Sequence, residues 1–333
     1  MAATTGFLLH PASALHDTGW GHPEHQGRLR SLSSTVGRDM LALHGRVEQM
    51  QPVEASEEDL LRVHTADHVE SIRAAVAAAA EAASPVALDP DTWVSDASWD
   101  AALGSVGAAI AAAGAVARGD RKNAFVATRP PGHHATPDRA MGFCLFNTIA
   151  ITARWLQAHK LAERVLIVDW DVHHGNGTQD AFWEDPTVGF LSLHQSPLWP
   201  GTGTVDQRGG GAGEGTTWNV ELSAGTGSEA YRARFVDAVD EAVAVIQPDF
   251  VLVSAGFDAL AGDPIGGLAL EPEDFHGLTE ALMERTSVRG DSRLVALLEG
   301  GYDPRRTGLA AVAVLRAMAG VRPADPTLPA TAG

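Results

Sequence analysis

Residues 165–177 read Val-Leu-Ile-Val-Asp-Trp-Asp-Val-His-His-Gly-Asn-Gly, and this stretch decides the fold of the chain. It begins with four apolar residues, most of them β-branched, and continues into a cluster of ionisable side chains and glycines. A short apolar run without alternation is typical of a strand that is buried on both faces of a parallel sheet. The polar cluster would then stand at the carboxyl end of the strand, where α/β proteins bind ligands.

Similar apolar runs recur along the chain and alternate with helical, alanine-rich stretches. The further candidate strands are residues 6–10, 124–128, 188–194, 250–255 and 294–299. The candidate helices are residues 57–63, 66–83, 96–117, 148–159, 228–246, 272–285 and 307–319. This alternation predicts the α/β class, with a doubly wound central parallel sheet and helices on both of its faces.

The chain shows no shift of composition that would mark a domain boundary. We therefore predict one domain, residues 1–321, followed by a flexible tail, residues 322–333, that is rich in Pro, Ala and Thr. The glycine-rich stretch 208–216 is expected to be a surface loop. The sequence leaves the oligomeric state open, and a homo-oligomer is one alternative.

The composition restricts the classes of protein to which the chain can belong. Its 333 residues include 24 Lys and Arg against 42 Asp and Glu, which gives a net charge of −18. Such a surface repels nucleic acid and anionic membranes but tolerates a cationic substrate. The chain has no signal-like start and no run of about 18 apolar residues, so we expect no membrane span. The single cysteine, Cys144, excludes an internal disulfide framework and favours a cytoplasmic protein.

Ionisable side chains follow the candidate strands. His133 and His134 come after the strand 124–128, and Asp258 comes after the strand 250–255. Tyr302 follows the strand 294–299 on a Gly-Gly turn. Because the carboxyl ends of parallel strands lie at one edge of a sheet, we expect these side chains to meet there.

The residue types at that edge suit a metal site. Asp171 and His173 are two residues apart, so on a strand their side chains point the same way, and Asp258 can add a third ligand. Two carboxylates and one imidazole, with a position left for water, suit a catalytic zinc or another first-row divalent ion. The alternative is structural: a strand-end aspartate often caps the next helix, and His174 and His194 in loops would simply be solvated.

Amide hydrolysis at a metal also needs a base, an acid and an oxyanion donor. His133 and His134 are adjacent, so at least one of them can reach a water at the metal. Asp169 and Asn176 are the candidate partners, and a charged aspartate would raise the pKa of its histidine more than a neutral asparagine. The hydroxyl of Tyr302 is a candidate oxyanion donor. The alternatives are a pair of loop histidines and a core tyrosine.

Six motifs stand in a characteristic order. They are RPPGHHA (129–135), GFCLFN (142–147), VDWDVHHGNG (168–177), PGTG (200–203), SAGFDALAGDPIGG (254–267) and LEGGY (298–302). In these motifs the chain resembles the histone deacetylase superfamily, which includes bacterial deacetylase-like amidohydrolases and acetylpolyamine amidohydrolases. The resemblance implies an arginase/deacetylase fold with a central parallel sheet of about eight strands.

The resemblance also implies two kinds of bound cation. The zinc ligands would be Asp171, His173 and Asp258, with Fe²⁺ as the alternative metal in the cell. A structural potassium ion would be bound, partly through carbonyl oxygens, by Asp169, Asp171, His173, Ser192 and Leu193.

The same resemblance implies a role for each catalytic residue. His134 would be the general base and acid, and Asn176 would hold it. His133 would be its electrostatic partner, held by Asp169. Tyr302 would bind the substrate carbonyl and the oxyanion.

A substrate tunnel is implied as well. Phe143 and Trp199 would line it, Ile265 would lie at its wall, and Gly142 would accept a hydrogen bond from the substrate amide. Arg28 would line an inner channel used by the released acid.

An acidic residue of the loop 88–92, Asp91 or Asp89, would bind the substrate backbone, as an aspartate does in relatives.

The motifs are similar to those of the class II branch, because Asn176 stands where class I has an aspartate. Ile265 is apolar where polyamine-selective relatives carry a glutamate. We therefore predict a zinc-dependent amidohydrolase that removes the acyl group of Nε-acetyl-lysine in proteins or peptides. An acetylpolyamine or another small acyl amide is the alternative substrate. A non-enzymatic reader of acyl-lysine is disfavoured, because the ligands, His134 and Tyr302 are all present.

Overall fold

A parallel sheet of eight strands runs through the described part of the protein. The structure is a computed structural model that describes residues 3–287 and 293–324. In chain order the strands of the sheet are β1 (Thr5–Leu9), β2 (Val47–Gln49), β5 (Asn123–Ala127), β6 (Val165–Asp169), β7 (Val188–Gln195), β8 (Thr217–Leu222), β9 (Phe250–Ala255) and β10 (Leu294–Leu298), while β3 (Val86–Ala87) and β4 (Trp93–Val94) form a separate antiparallel pair. The spatial order is β2-β1-β5-β10-β9-β6-β7-β8, and each neighbouring pair is parallel. The predicted α/β class with a central parallel sheet is confirmed.

The helices lie on both faces of this sheet. They are α1 (Gly27–Leu43), α2 (Glu57–Leu60), α3 (Ala66–Ala82), α4 (Ser98–Ala117), α5 (Thr148–Ala158), α6 (Asn176–Phe182), α7 (Ser228–Ile246), α8 (Asp274–Thr286) and α9 (Pro304–Met318). The predicted helix 307–319 begins three residues earlier, at Pro304, because the side chain of Asp303 accepts hydrogen bonds from the next free N–H groups. The predicted helix 57–63 ends at Leu60 and continues as a turn.

Six helices and strands were missing from the sequence prediction: α1, α6, β2, β8 and the short antiparallel pair β3 and β4. In α1 the buried residues Leu29, Leu32 and Val36 are spaced by three and four, as an amphipathic helix requires. Serines, a threonine and a glycine between them weaken the helical signal. β2 and β8 are the two edges of the sheet, and a strand that pairs on one side only carries a shorter or more polar pattern.

The core is divided by the sheet into two layers. Alternate strand residues belong to different clusters: Leu166 and Val168 pack on one side, Val165 and Ile167 on the other. Helices α1, α7, α8 and α9 cover the first side, and α4 and α5 cover the second. Since both faces of each central strand are buried, apolar residues occupy every position, which explains the continuous runs in the sequence.

The expectation that no segment could span a membrane needs one correction. Helix α4 is long and apolar enough to do so by length and composition. In this structure, however, 78% of its apolar window is buried inside the protein. Its small residues allow close packing on the sheet, where Gly107 leaves no room for a Cβ next to the carbonyl of Val53. We therefore describe α4 as a core helix.

The predicted tail falls mostly on residues that the structure does not describe. Residues 322–324 follow α9 without regular structure, and residues 325–333 lie outside the described part of the chain. The predicted loop 208–216 contains one short 3₁₀ turn, Gly211–Gly213, and is otherwise irregular, in agreement with the glycine content.

A buried ion cluster ties the N-terminal loop to the sheet. Glu24 is fully buried between Arg28 and Arg129, with Arg28 Nη1 at 2.8 Å from its Oε1 and Arg129 Nη2 at 2.6 Å from its Oε2. Arg129 also donates to the carbonyl groups of Ser13 (3.0 Å) and His16 (3.2 Å). Burial alone would raise the pKa of Glu24, but the two arginines outweigh it and lower the pKa to about 2. Glu24 is therefore ionised in the folded protein.

Replacing Glu24 by Gln should destabilise the fold by about 3–5 kcal/mol at pH 7, because two buried guanidinium groups lose their counter-ion. The folded-state pKa is lowered, so the stabilisation is complete above the unfolded pKa of about 4.5 and declines as the pH falls toward about 2. Urea unfolding of both proteins between pH 8 and 3 measures this difference. The exposed Glu241, which faces Arg208, is the matched control, and Glu241→Gln should change stability by less than about 0.5 kcal/mol. Equal losses in both variants would contradict the assignment.

Candidate active site

The loops that carry the ionisable residues follow four neighbouring strands. β5, β10, β9 and β6 are adjacent in the centre of the sheet. Their carboxyl ends are followed by the His133–His134 pair, by Tyr302, by Asp258 and by Asp171, respectively. The sheet therefore gathers side chains that are up to 169 residues apart in sequence, from His133 to Tyr302, as predicted from the strand ends.

Asp171, His173 and Asp258 form a cluster that can hold a metal ion. His173 Nδ1 lies 3.1 Å from Oδ1 of Asp171 and 3.1 Å from Oδ2 of Asp258. One donor atom from each of the three residues lies within 4.8 Å of the others, and all three residues are buried. Ligands that surround an ion tetrahedrally at about 2.0 Å are separated by about 3.3 Å, so the cluster fits a zinc-type ion in spacing and in chemistry.

The charges of the cluster also favour a cation. Burial alone would lower the pKa of His173, but the hydrogen bonds and charges of Asp171 and Asp258 raise it to about 10. Burial and the charge of Asp171 raise the pKa of Asp258, because the two carboxylates are close together in a dry environment. Such a site attracts a positive charge, which a divalent ion supplies.

The backbone packs tightly against these ligands. Gly300 N–H donates to Oδ2 of Asp171 at 2.8 Å, and Val172 N–H donates to Oδ1 of Asp258 at 2.8 Å. A Cβ on Gly256 would stand 2.1 Å from Oδ2 of Asp171, and one on Gly300 would stand 2.2 Å from Oδ2 of Asp258. Both glycines are therefore required by the close approach of the carboxylates.

The two adjacent histidines have different partners and different basicity. His133 Nδ1 lies 2.9 Å from Asp169 Oδ2, and His134 Nδ1 lies 2.9 Å from Asn176 Oδ1. Burial opposes the charged form of His133, but Asp169 and neighbouring carboxylates raise its pKa well above 6.5. Burial and the neighbouring His133 and His173 lower the pKa of His134 well below 6.5. The structure thus brings together the pairs expected from the sequence, with a charged and a neutral imidazole side by side.

Glu299 is a site residue to which the sequence analysis gave no role. Its buried carboxylate accepts hydrogen bonds from Gly132 N–H (2.6 Å) and His133 N–H (3.2 Å), so it holds the loop of the histidine pair. Burial raises its pKa to about 7. The hydroxyl of Ser254 also donates to Oε1 of Glu299, at 3.2 Å. The residue was visible in the LEGGY motif, but its bonds to the histidine loop are made with backbone N–H groups, which no pattern of side chains reveals.

Cys144 lies close to His133 and Glu299, and the three residues form a second buried group with ligand-type atoms. Burial raises the pKa of the Cys144 thiol well above 9, so the thiol stays protonated. The carboxylate of Glu299 already accepts hydrogen bonds from two backbone N–H groups. We therefore interpret these three residues as packing around the histidine loop and not as a second ion site.

Tyr302 follows the Gly-Gly turn after β10 and is buried. Burial raises its pKa well above 10, and the negative charges of Asp258 and Asp171 add to this against the opposing effect of Arg28. The guanidinium of Arg28 lies over the phenol ring at 4.6 Å. Arg28 also donates to the carbonyl of Gly301 at 2.7 Å and to that of Glu299 at 2.6 Å. Arg28 therefore supports the turn that carries Tyr302, in addition to any contact with an inner channel.

Two aromatic side chains lie beside these groups. The ring centroid of Trp199 is 4.7 Å from that of His134, and Trp199 is 42% exposed, so it reaches from the site to the surface. The ring of Phe143 is 5.7 Å from that of Tyr302. A Cβ on Gly142 would meet Trp199 at 2.5 Å and His134 at 2.6 Å, so the chain passes between these rings only as glycine. The aromatic tunnel that the resemblance implies stays a prediction.

Thr92 fixes the backbone of Phe143 beside these aromatic rings. Phe143 has a positive φ of 68°, which is unusual for a bulky residue, and its N–H donates to Oγ1 of Thr92 at 3.1 Å. Oδ1 of Asp89 accepts from the N–H groups of Asp91 (3.0 Å) and Thr92 (2.6 Å), so Asp89 caps its own turn. Oδ1 of Asp91 accepts a hydrogen bond from the hydroxyl of Thr92 at 3.2 Å. Each of the two aspartates therefore keeps acceptor capacity for a ligand, and the choice between them stays open.

Ile265 and the predicted potassium ligands are the remaining residues that the sequence analysis named. Ile265 is half-buried on the loop after Asp258, and its N–H donates to Oδ1 of Asp263 at 3.0 Å. For the predicted potassium site, Asp169 and Ser192 are register partners in β6 and β7, and Leu193 follows on β7. Asp169 and Ser192 thus lie side by side on adjacent strands, while Asp171 and His173 follow in the loop after β6. The potassium site stays a prediction.

Comparison with known proteins identifies the family. Residues 22–318 match the family model described as "Histone deacetylase domain". The chain is 38% identical over 298 residues to a protein of Archaeoglobus fulgidus named "Probable deacetylase", which covers 90% of this chain and 81% of the relative. It is 37% identical over 320 residues to the "Histone deacetylase-like amidohydrolase" of Pseudomonas aeruginosa, with 96% of this chain and 81% of the relative covered.

A solved structure gives the same result. The structure titled "Crystal Structure of HDA15 HD domain" superposes with a TM-score of 0.89 at 33% sequence identity, covering 98% of this chain and 91% of the other. The fold and the family expected from the six motifs are therefore confirmed. The chain belongs to the histone deacetylase family and is a hydrolase with deacetylase or amidohydrolase activity.

Proposed function

We propose that this protein is a zinc-dependent deacylase that hydrolyses the acyl amide of Nε-acetyl-lysine in proteins or peptides. One observation carries the proposal. Three cation ligands, Asp171, His173 and Asp258, converge within 4.8 Å of one another. A neutral imidazole, His134, and a protonated phenol, Tyr302, stand beside them. This combination is what metal-assisted amide hydrolysis requires.

The proposal includes two kinds of cation. Zinc would bind at this cluster, with Fe²⁺ as the alternative in the cell. A structural potassium ion would bind beside Asp169 and Ser192, which are neighbours on β6 and β7. Zinc would supply Lewis acidity toward a water molecule and the acyl carbonyl. The potassium would offset part of the negative charge that the buried carboxylates bring to the same edge of the sheet.

His134 is suited to be the general base. Its Nδ1 faces the carbonyl oxygen of the Asn176 side chain, which only accepts hydrogen bonds, so the ring proton resides on Nδ1. Its Nε2 then carries a free lone pair, and the lowered pKa keeps it unprotonated at neutral pH. His134 Nε2 can take a proton from the attacking water and later deliver it to the leaving amine.

His133 has the complementary role. Asp169 and neighbouring carboxylates raise its pKa well above 6.5, so it is charged at neutral pH and cannot act as a base. Its ring centroid is 3.9 Å from that of His134. A fixed positive charge at this distance stabilises the negative charge that develops on the carbonyl oxygen. The hydroxyl of Tyr302 donates to the same oxygen, since burial keeps it protonated.

The surroundings favour a linear acyl-lysine chain. Trp199 and Phe143 offer flat apolar walls to a chain of methylene groups, and Asp91 at the outer end has a carboxylate available for a peptide N–H. Ile265 offers no charge to a polyamine. Asn176 supports assignment to the class II-like branch. The single cysteine and the acidic composition support a cytoplasmic protein without nucleic-acid or membrane partners. The net charge of −18 keeps an acetylpolyamine as the second substrate class.

A substrate panel tests the proposal directly. The purified protein, loaded with zinc, should hydrolyse a fluorogenic Nε-acetyl-lysine peptide faster than acetylspermidine, as measured by kcat/KM for each. A hydroxamate and a metal chelator should each abolish the turnover. The reverse order of rates would favour the acetylpolyamine as substrate. No chelator-sensitive turnover of any acyl amide would refute the proposal.

Replacing Tyr302 by Phe should lower kcat by roughly 100-fold or more, because one oxyanion donor is lost while the ring and its contacts remain. Steady-state kinetics with the acetyl-lysine peptide measure the effect. Zinc content by elemental analysis should equal that of the wild type, since Tyr302 is not a ligand. A variant with normal kcat would show that the phenol has no catalytic role.

Replacing Asp258 by Ala should remove bound metal, because only one carboxylate and one imidazole remain. Elemental analysis after gel filtration should give well under one equivalent of zinc, and turnover should fall with it. Tyr302→Phe is the matched control that keeps the metal. Full zinc occupancy in Asp258→Ala would mean that Asp258 is not a ligand.

A further inference from the structure

The loop between Asp258 and α8 contains a second buried aspartate, Asp263, whose hydrogen bonds are all with backbone N–H groups. Asp263 is only 6% exposed. Oδ2 accepts hydrogen bonds from the N–H groups of Tyr302 at 2.7 Å and Asp303 at 3.3 Å. Oδ1 accepts from the N–H of Ile265 at 3.0 Å. A single carboxylate therefore joins the turn of the phenol to the loop of Ile265.

The loop that carries Asp263 is itself well fixed. Ala261 N–H donates to the carbonyl of Leu270 at 2.8 Å, which closes the loop at its base. A Cβ on Gly266 would stand 2.0 Å from the carbonyl oxygen of Asp258, so the loop lies directly on the segment of that residue. Asp263 is thus anchored to the same framework as the cation cluster.

The turn of Tyr302 needs such an anchor. Gly301 has a φ of 114°, which other residues rarely adopt, and Arg28 binds only its carbonyl. On the amino side the turn is held by the bond from Gly300 to Asp171. At Tyr302 itself, the backbone N–H is held by Asp263. Because the hydroxyl stands at the far end of the ring, a small rotation of the backbone would move it by a larger distance.

We infer that Asp263 is a positioning residue that sets the phenol of Tyr302 and the wall at Ile265 together. The inference rests on the proposed function, in which Tyr302 stabilises the oxyanion. Only a carboxylate suits the place, because its two oxygens face three N–H donors and it has no hydrogen of its own to oppose them. An asparagine would turn its NH₂ group toward at least one of these donors. Misplacement of a catalytic group by about 1 Å can lower the rate about 100-fold.

A double-mutant cycle between Asp263→Asn and Tyr302→Phe tests the inference on the full-length, zinc-loaded protein. Asp263→Asn alone should lower kcat at least about 10-fold, with zinc content unchanged. In the Tyr302→Phe background the same substitution should change kcat by less than about 2-fold, because the group that it positions is gone. Asp263→Asn should also change KM, because it releases the loop of Ile265. This change in KM should appear in both backgrounds.

The matched control is Asp249→Asn. Asp249 also accepts hydrogen bonds from backbone N–H groups, those of Glu163 (3.0 Å to Oδ2) and Arg164 (3.2 Å to Oδ1). It lies at the amino-terminal ends of the strands, on the side of the sheet away from the candidate active site. The substitution Asp249→Asn should leave kcat and KM unchanged. If Asp263→Asn does not fold, Asp263→Ser, whose hydroxyl can still accept one of the bonds, enters the same cycle.

The outcomes are distinguishable. An equal loss of kcat in both backgrounds would show a general structural role and overturn the inference, while the proposed function would stand. If the wild type has no turnover, the proposed function fails, and crystal structures of the wild type and Asp263→Asn decide the positioning claim alone. A displaced or doubled Tyr302 side chain in the variant supports the inference, and an unmoved one overturns it.

Discussion

The structure depends on the concentration of buried carboxylates at one edge of the sheet. Asp169, Asp171, Asp258 and Glu299 are all essentially without solvent contact and lie on neighbouring strand ends. A buried carboxylate is strongly unfavourable unless hydrogen bonds or positive charges surround it. This requirement explains the backbone N–H groups that point at each of them, the raised pKa values of His133 and His173, and the affinity that such an edge should have for cations.

The same requirement explains how fold and chemistry are linked. The centre of a parallel sheet places the ends of β5, β10, β9 and β6 side by side, and the loops from these ends supply the acids, the imidazoles and the phenol. Many of the hydrogen bonds among them join one loop to another, such as those of His133 with Asp169, His134 with Asn176 and His173 with Asp258. The site is therefore a single network, in which Glu299 connects the Tyr302 turn to the histidine pair and Asp263 connects it to the outer wall.

The sequence was sufficient for the strands of the sheet interior and for the side chains of the site. Continuous apolar runs such as 165–169 have one physical explanation, burial on both faces, and their ends locate the ionisable cluster. The edge strands β2 and β8 and the helix α1 lack that signal. The roles of Glu299 and Asp263 were also out of reach, because most of their partners are backbone N–H groups, whose positions exist only in the folded chain.

The glycines that touch the ligands set a limit on how this site can vary. The backbone of Gly256 and Gly300 lies directly against the carboxylates of Asp171 and Asp258. Any side-chain atom added there would displace a carboxylate of the cluster. Variation of this site is therefore easier at Trp199, which is largely exposed, and at Ile265, which is half-buried, than at these two glycines.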